Sequence, residues 1–442
     1  MLPRCHVRCF AGQRMDREKI RMKKEEPKEL FERRLKRCED AIQLKTPDRV
    51  PFFPMTHYFA AKYVGLQGEE AFYNPEKWFA ANKKMNVDLR PDLYFDPLHA
   101  LYPGKALEIL KCKQLKWPGH GVPNDAGYGY QYVEGEYLKA DEYDAFLDDP
   151  LDFLIRVYMP RIFRSLEPLK ILPSIRDLFI QGYKGSLSSA VFARSEIAEA
   201  FKSIYEAGLE ATKYVAGAAE FNEEMVELGF PLGMGTAMYS PFDHISDMLR
   251  GMHGVMIDMY RQPDKLLEAI EKTYFPSLFE AGVARAKLSG SPRVFIPLHR
   301  GGDPFMSLKQ YETFYWSGLK KLIVGLIDEG LVPCPFFEGK FNTRLEYLAE
   351  LPKGKVLSFF DSSDIFKAKE ILGDTVCLAG NMPLSLLKTG TQEQIREYNK
   401  KLIDNVGKSG GFIMSASAVL DDADPERVRF WADHTRKYGV YD

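Results

Sequence analysis

Six polar residues stand at or just behind the ends of short apolar runs, the arrangement that proton chemistry in a dry cavity needs. His299 follows Arg293-Val-Phe-Ile-Pro-Leu298, Glu338 follows Val332-Pro-Cys-Pro-Phe-Phe337, and Asp361 follows Lys355-Val-Leu-Ser-Phe-Phe360. Asn381 closes Thr375-Val-Cys-Leu-Ala-Gly380, Asp96 closes Leu93-Tyr-Phe95 ahead of Pro97, and His57 lies just past Val50-Pro-Phe-Phe-Pro-Met55. His299 precedes Gly301-Gly302, which allow a sharp turn and close approach of a ligand. An imidazole there suits a general acid or base, or a metal ligand; a hydrogen-bonded structural histidine is the alternative. Glu338 and Asp361 each follow a Phe-Phe pair, an apolar setting that raises a carboxyl pKa and makes the group a proton donor or ligand. A salt bridge from Glu338 to Lys340 or Arg344 would serve structure alone. Asn381 is a candidate substrate contact or a loop-fixing amide. His57 and Tyr239 complete the candidate substrate contacts, with Asp96 a further catalytic candidate.

Such residues need a scaffold that brings them together. The four runs from Arg293 onward and a fifth, Gly411-Phe-Ile-Met-Ser415, read as buried parallel strands, with helix signals between them. Ser307-x-x-Gln310 and Thr391-x-x-Gln394 fit capping boxes, and Gly330, Gly373 and Gly407 stand where helices should stop. A βα repeat whose strands each deliver one polar side chain at the carboxyl end predicts a single (β/α)8 TIM-type barrel. Val50–Met55 and Leu93–Asp96 supply two earlier strands. Residue-by-residue alternation over 105–140 predicts an inserted β-hairpin. Helix is expected from Glu32 to Thr46, from Asp148 to about Arg176, and over 195–290 around the Gly/Pro-rich stretch 230–243 that holds Tyr239. Residues 1–31 read as an N-terminal extension, disordered or helical, or translated from an upstream start; 32–442 form the barrel.

Composition narrows the function. A chain of 442 residues, 45% apolar with net charge −2, has a large core and no polyelectrolyte character, which argues against nucleic acid and anionic membrane as partners. No apolar run approaches bilayer length. The cysteines (5, 9, 38, 112, 334 and 377) are scattered, which suits a reducing cytoplasm. Tyr128, Tyr130, Tyr132 and Tyr137 suit either an aromatic pocket or ordinary strands. Met234, Met238, Met248, Met252, Met256 and Met259 have helical spacing and read as core, while His244 and His253 read as surface or capping residues.

Several motifs carry a likeness. Arg49-Val-Pro51, Asp96, Ser240-Pro-Phe-Asp243, Leu249-Arg-Gly251, Gly380-Asn-Met-Pro383, Gly410-Gly-Phe-Ile-Met-Ser415 and Asp424-Pro-Glu426 resemble the uroporphyrinogen decarboxylase superfamily over roughly 32–442. The resemblance implies a TIM barrel and one of two chemistries, cofactor-free decarboxylation or methyl transfer between corrinoid proteins and acceptors. The decarboxylase branch clamps propionates and acetates with arginines after its first strand. Here no arginine occurs between Arg49 and Arg90, and Lys62 cannot supply guanidinium forks. The methyl-transfer branch holds zinc through His-x-Cys and a later cysteine. This chain has His299-Arg300-Gly301 at the first place and Ala418 near the second. Zinc binding is then lost, or rebuilt with His299, Glu338 and Asp361 as harder ligands.

The expectation is therefore a corrinoid-dependent methyltransferase-like enzyme, acting on a small organic molecule, with cobalamin on a separate protein. A cofactor-free decarboxylase of another acid, or a catalytically inert barrel used for binding, are the alternatives. A homodimer is compatible with either.

Overall fold

The computed structural model describes residues 26–441. Residues 1–25, most of the expected extension, lie outside the described residues. The first helix, Pro27–Ile42, starts with proline at its first turn, where the missing N–H costs nothing. Its buried face is Arg34, Arg37, Cys38, Ala41 and Ile42, so the inward stripe includes two guanidiniums.

Those guanidiniums are met by a buried acid. Asp92, fully buried, accepts from Arg37 at 2.5 Å, from Arg49 at 2.7 and 2.8 Å, and from the Phe52 N–H at 2.8 Å. Arg37 also forks onto Asp48 with two 2.6 Å bonds. One carboxylate thus pins the first helix to both early extended segments.

Strands form where the apolar runs predict them. A six-stranded parallel sheet runs in the order β4 (Thr236–Ala237), β5 (Arg293–Leu298), β6 (Val332–Phe337), β7 (Leu357–Phe360), β8 (Cys377–Met382) and β9 (Phe412–Ala416). β6 tolerates two prolines for a directional reason. The Val332 and Glu338 N–H groups donate to Pro292 and Leu298, so even-numbered amides face β5. Pro333 and Pro335 therefore turn their missing N–H groups toward β7, and the β6–β7 ladder begins only at Phe336.

The two early segments are extended but short of full strands. Phe52 bridges Met414 of β9, and Tyr94 bridges Leu232 just before β4. Hydrogen bonds run from Phe53 N to Met414 O, Asp92 N to Phe52 O, Tyr94 N to Pro231 O, and Gly233 N to Tyr94 O, all 2.8–3.1 Å. Pro51, Pro54, Pro91 and Pro97 interrupt the donors that a longer ladder would need.

The insertion departs from expectation in one half. Residues 104–110 form a helix, Gly104–Leu110, rather than a strand. Ala, Leu and Glu are strong helix formers, and a five-residue alternation also fits helical contacts. The other half holds a small sheet of order β2-β1-β3, with β1 (Leu115–Pro118), β2 (Gly121–Val122) and β3 (Gln131–Tyr132), the last antiparallel to β1. The 33-residue helix Ser195–Glu227 follows; of the six methionines, Met234, Met238 and Met259 are core residues, the first two outside any helix, while Met248, Met252 and Met256 are half-buried. Among the described residues no helix is long and apolar enough to cross a membrane.

Removing one partner of a buried ion network leaves the others uncompensated. Asp92→Ala should therefore lower unfolding free energy by about 3–5 kcal/mol. Urea titration reads this as a lower midpoint at an unchanged slope; an unmoved midpoint would show that the network contributes nothing.

Candidate active site

The site is built around a helix start. Ser240 caps the helical stretch 241–250: its Oγ accepts from the Asp243 N–H at 3.1 Å and donates to Asp243 Oδ2 at 2.9 Å. Asp243 is fully buried and turned toward β5. It accepts from the backbone N–H of His299 at 3.1 Å and of Arg300 at 3.0 Å, and from the Tyr315 hydroxyl at 2.5 Å. Burial and then neighbouring Asp247 raise its pKa.

Four residues on, one helical turn along the same face, lies Asp247. Its Oδ2 is hydrogen-bonded to His299 Nδ1, and its Oδ1 is 3.2 Å from the Arg300 guanidinium. Glu338 Oε1 lies 3.6 Å from His299 Nε2 on the other side of the ring. Burial disfavours charge on His299, but the bonds to Asp247 and Glu338 outweigh it and raise its pKa to about 11. The group is an imidazolium across the physiological range. Tyr239 packs edge-on at 6.0 Å between centroids.

The insertion braces this arrangement. Tyr132 of β3 donates to the Asp247 carbonyl, and Glu134 accepts from the Met252 N–H and lies 3.5 Å from Arg300. The four tyrosines thus separate by role. Tyr132 is a support, Tyr137 donates to the Val133 carbonyl, Tyr128 is exposed, and Tyr130 joins the site. Tyr130 packs on Tyr102 at 5.3 Å and on His57 at 5.8 Å; Tyr239 also lies close enough to shift its titration.

His57 sits across this aromatic wall, with Nδ1 2.9 Å from Asp421, which also accepts from the Tyr58 N–H. Asp96 is buried and bonded to the Leu98 N–H at 2.9 Å. Burial raises its pKa against the opposing pull of His99, whose own pKa burial lowers. His99 Nδ1 is buried with no hydrogen-bond partner among the described residues.

Asp361 and Asn381 play a different part. Asp361 accepts from the Gly339 N–H at 2.9 Å, and burial raises its pKa. Asn381 donates to the carbonyls of Asp361 and Ser363 and accepts from Tyr398, so both ends of its amide hold the loop behind β7. The trio His299, Glu338 and Asp361 does not form a metal site in this arrangement. Asp247 occupies one imidazole nitrogen, Glu338 faces the other, and Asp361 is tied to a backbone amide. Among the described residues no three His, Cys, Asp or Glu side chains group to hold a metal ion. His244 is half-buried rather than exposed: it lies between Tyr239 and Tyr274, and burial lowers its pKa to about 4.

Asp243, Asp247, His99 and Asp421 are the members that strand-end reasoning misses. A signal existed for two of them: Ser240-x-x-Asp243 is a capping pattern, and Asp247 follows at helical spacing. Nothing in the sequence marks His99 or Asp421 as neighbours of the site.

A family model described as uroporphyrinogen decarboxylase matches residues 186–438. The uroporphyrinogen decarboxylase of Syntrophotalea carbinolica is 26% identical over 182 residues, which is 40% of this chain and 49% of that protein. That of Chlorobium phaeovibrioides is 32% identical over 110 residues, 24% of this chain and 31% of that protein. The chain therefore spans half or less of the curated relatives it matches. A methyltransferase from Methanosarcina mazei superimposes with a TM-score of 0.59 over 92% of this chain and 98% of its own, at 16% identity, a likeness of fold.

Replacing Asp247 by Asn removes the nearest charge facing His299. The imidazole pKa should drop by about 1–3 units, which nitrogen-detected NMR of the ring measures directly. The sign for stability follows from the raised pKa. The contribution is complete below the ordinary value of 6.5 and is lost as pH rises toward about 11. Wild type should lose more stability than His299→Ala across that window.

Proposed function

Because the chain belongs to the uroporphyrinogen decarboxylase family, we propose that it is an enzyme moving a methyl group between a small organic molecule and a corrinoid on a separate protein. The observation that carries this reading is the imidazolium of His299, held between Asp247 and Glu338 at the carboxyl end of β5. Methyl removal from oxygen leaves an anion that must be protonated. A positioned proton donor within hydrogen-bond reach of that oxygen can supply the proton.

Nδ1 is committed to Asp247, so Nε2 is the atom able to pass its proton on. Glu338 is exposed and 3.6 Å away, which leaves Nε2 room to turn to a substrate oxygen. Asp247 then stabilises the ring in either state, and Tyr239 and Tyr130 supply apolar walls that keep the oxygen out of bulk water. A bound corrinoid would supply the cobalt centre that accepts or returns the methyl group. Tyr102, which packs on Tyr130 and is 43% exposed, is an aromatic surface that such a group could meet.

A thiolate-held zinc does not fit these residues. Gly301 and Ala418 stand near the places of its cysteines, while Cys334 and Cys377 are fully buried in strands. The proton chemistry therefore belongs to His299. The hydrogen bonds linking β9 through 51–53 and 92–94 to 231–233 support a closed eight-stranded barrel as the scaffold.

A second reading is decarboxylation of a non-porphyrin acid. The buried Asp96, whose pKa burial raises against the opposing pull of His99, favours it, as do the names of the curated relatives. The absence of arginine between residues 49 and 90 argues against a tetrapyrrole with eight carboxylates.

His299→Ala should cut methyl transfer from methylated donors to free cobalamin by about 10²–10⁴-fold, while binding of a corrinoid protein stays close to wild type. Release of CO2 without cobalamin, with a larger loss on Asp96→Asn than on His299→Ala, would replace methyl transfer by the second reading.

A further inference from the structure

Against the helical stretch 244–250 lies a cavity of about 570 Å3 that the chemistry at His299 does not use. Its walls come from three segments, 146–158, 244–249 and 272–278, and Phe146, Leu154, Met248 and Leu278 make them mostly apolar. Leu151, 60% exposed, is its outer lip. Size and lining are those of a pocket that buries a small molecule, apolar walls with a few placed polar groups. Two such groups line it, His244 and Thr273.

Thr273 ends the helix Pro263–Thr273, and its hydroxyl is buried with no hydrogen-bond partner among the described residues. Other helical threonines behave differently. Thr212, Thr313, Thr389 and Thr435 each donate to the carbonyl four residues back. That local bond is the ordinary outlet for a helical threonine. Thr273 instead keeps a free donor at a buried position, where an unmade bond costs free energy. His244 is its counterpart. The ring nitrogens of His244 make no hydrogen bond among the described residues, and burial keeps the imidazole neutral. A neutral imidazole carries one acceptor nitrogen. Lys272, the one cation among the described lining residues, is paired with Glu268 at 2.5 Å.

We propose that this cavity is a second binding site of the chain, taking a small uncharged molecule with an apolar body and a single hydroxyl group. One hydroxyl can donate to the His244 ring and accept from Thr273 at the same time, so it satisfies both groups. Water would meet the same two groups but leave the apolar walls wet, and an apolar body relieves that cost. An anion finds no unpaired cation here, and the dry walls penalise its charge. The site shares a wall with the candidate active site. The His244 ring meets Tyr239 at 6.5 Å and Tyr274 at 6.2 Å, and Tyr239 meets His299 at 6.0 Å. Met248 of the cavity wall follows Asp247, whose carboxylate holds His299. An occupant therefore lies one aromatic ring away from the charged imidazole, whichever reaction runs there.

Calorimetric titration of the full chain with para-cresol and, in a parallel arm, with heptanol should give saturable binding of at least one, and the tighter of the two shows whether the body is planar or straight-chain. The matching probe without a hydroxyl, toluene or heptane, should bind at least about fivefold more weakly, and the carboxylate para-toluate should not bind. Thr273→Val and His244→Phe should each erase the preference for the hydroxyl without weakening the bare hydrocarbon. Leu154→Trp, which fills the cavity, should abolish binding with an unchanged circular dichroism spectrum, while His299→Ala should retain it. Nitrogen-detected NMR should show the His244 ring signal, identified by its loss in His244→Phe, moving as the site fills. No saturable binding of either hydroxyl probe overturns the proposal. So does binding that survives Leu154→Trp, which would place the molecule elsewhere, or equal affinity for the bare hydrocarbon, which would make the cavity an apolar void. A hydroxyl preference that persists in both Thr273→Val and His244→Phe overturns it as well.

Discussion

The buried carboxylate of Asp243 is the contact on which the candidate site depends. An isolated carboxylate in a fully dry position would be neutralised or expelled. Here four groups converge on it: the Ser240 hydroxyl, the Tyr315 hydroxyl, and the backbone amides of His299 and Arg300. Two of those donors are main-chain groups at the end of β5, so the helical stretch 241–250 is locked to that strand end in one register. Asp247 then has no choice of neighbour, because it lies one turn along on the same face and meets the imidazole that Asp243 has positioned. Loss of Asp243 would free the strand end and the helix start together.

Charge is distributed around this lock so that the site is charged without being unstable. His299 and Arg300 face Asp247, Glu338 and Glu134 within 3.6 Å. The small sheet of the insertion places Glu134 and Tyr132, so a part of the chain remote from the β5 end sets the field at the imidazole. A second pole, Asp96 with His99 and His57 with Asp421, lies beyond the Tyr102–Tyr130 wall. There burial favours the neutral forms of Asp96 and His99. The two poles differ because one has close charged partners and the other has mainly dry surroundings.

The parallel strands were legible because a strand buried on both faces reads as a continuous apolar run; β5 to β7 fall within the runs that mark them, and β8 and β9 extend one residue beyond theirs. The Glu338 and Asp361 positions were legible for the same reason: each is the first polar residue after its run. The helix Gly104–Leu110 was misread because a five-residue stretch carries too few periods to separate alternation from helical spacing. Asn381 reads equally well as ligand contact or loop anchor, and its hydrogen-bond partners Ser363 and Tyr398 lie 18 and 17 residues away in the chain, beyond the reach of a local pattern.

The sequence by itself determined the α/β class, the order of the strands along the chain, the polar residues that follow β5, β6 and β7, and the family. These properties are local or periodic, and each is written in a few consecutive residues. Only the tertiary structure decided that His299 is cationic, that Asp243 and Asp247 govern it, and that His99 and Asp421 stand behind the second pole. A pKa is set by charges and burial contributed from segments that can be tens to hundreds of residues apart: Asp247 lies 52 residues from His299, and Asp421 lies 364 from His57. No short pattern can encode such pairs, because the distance that matters is created only when the sheet places their segments side by side.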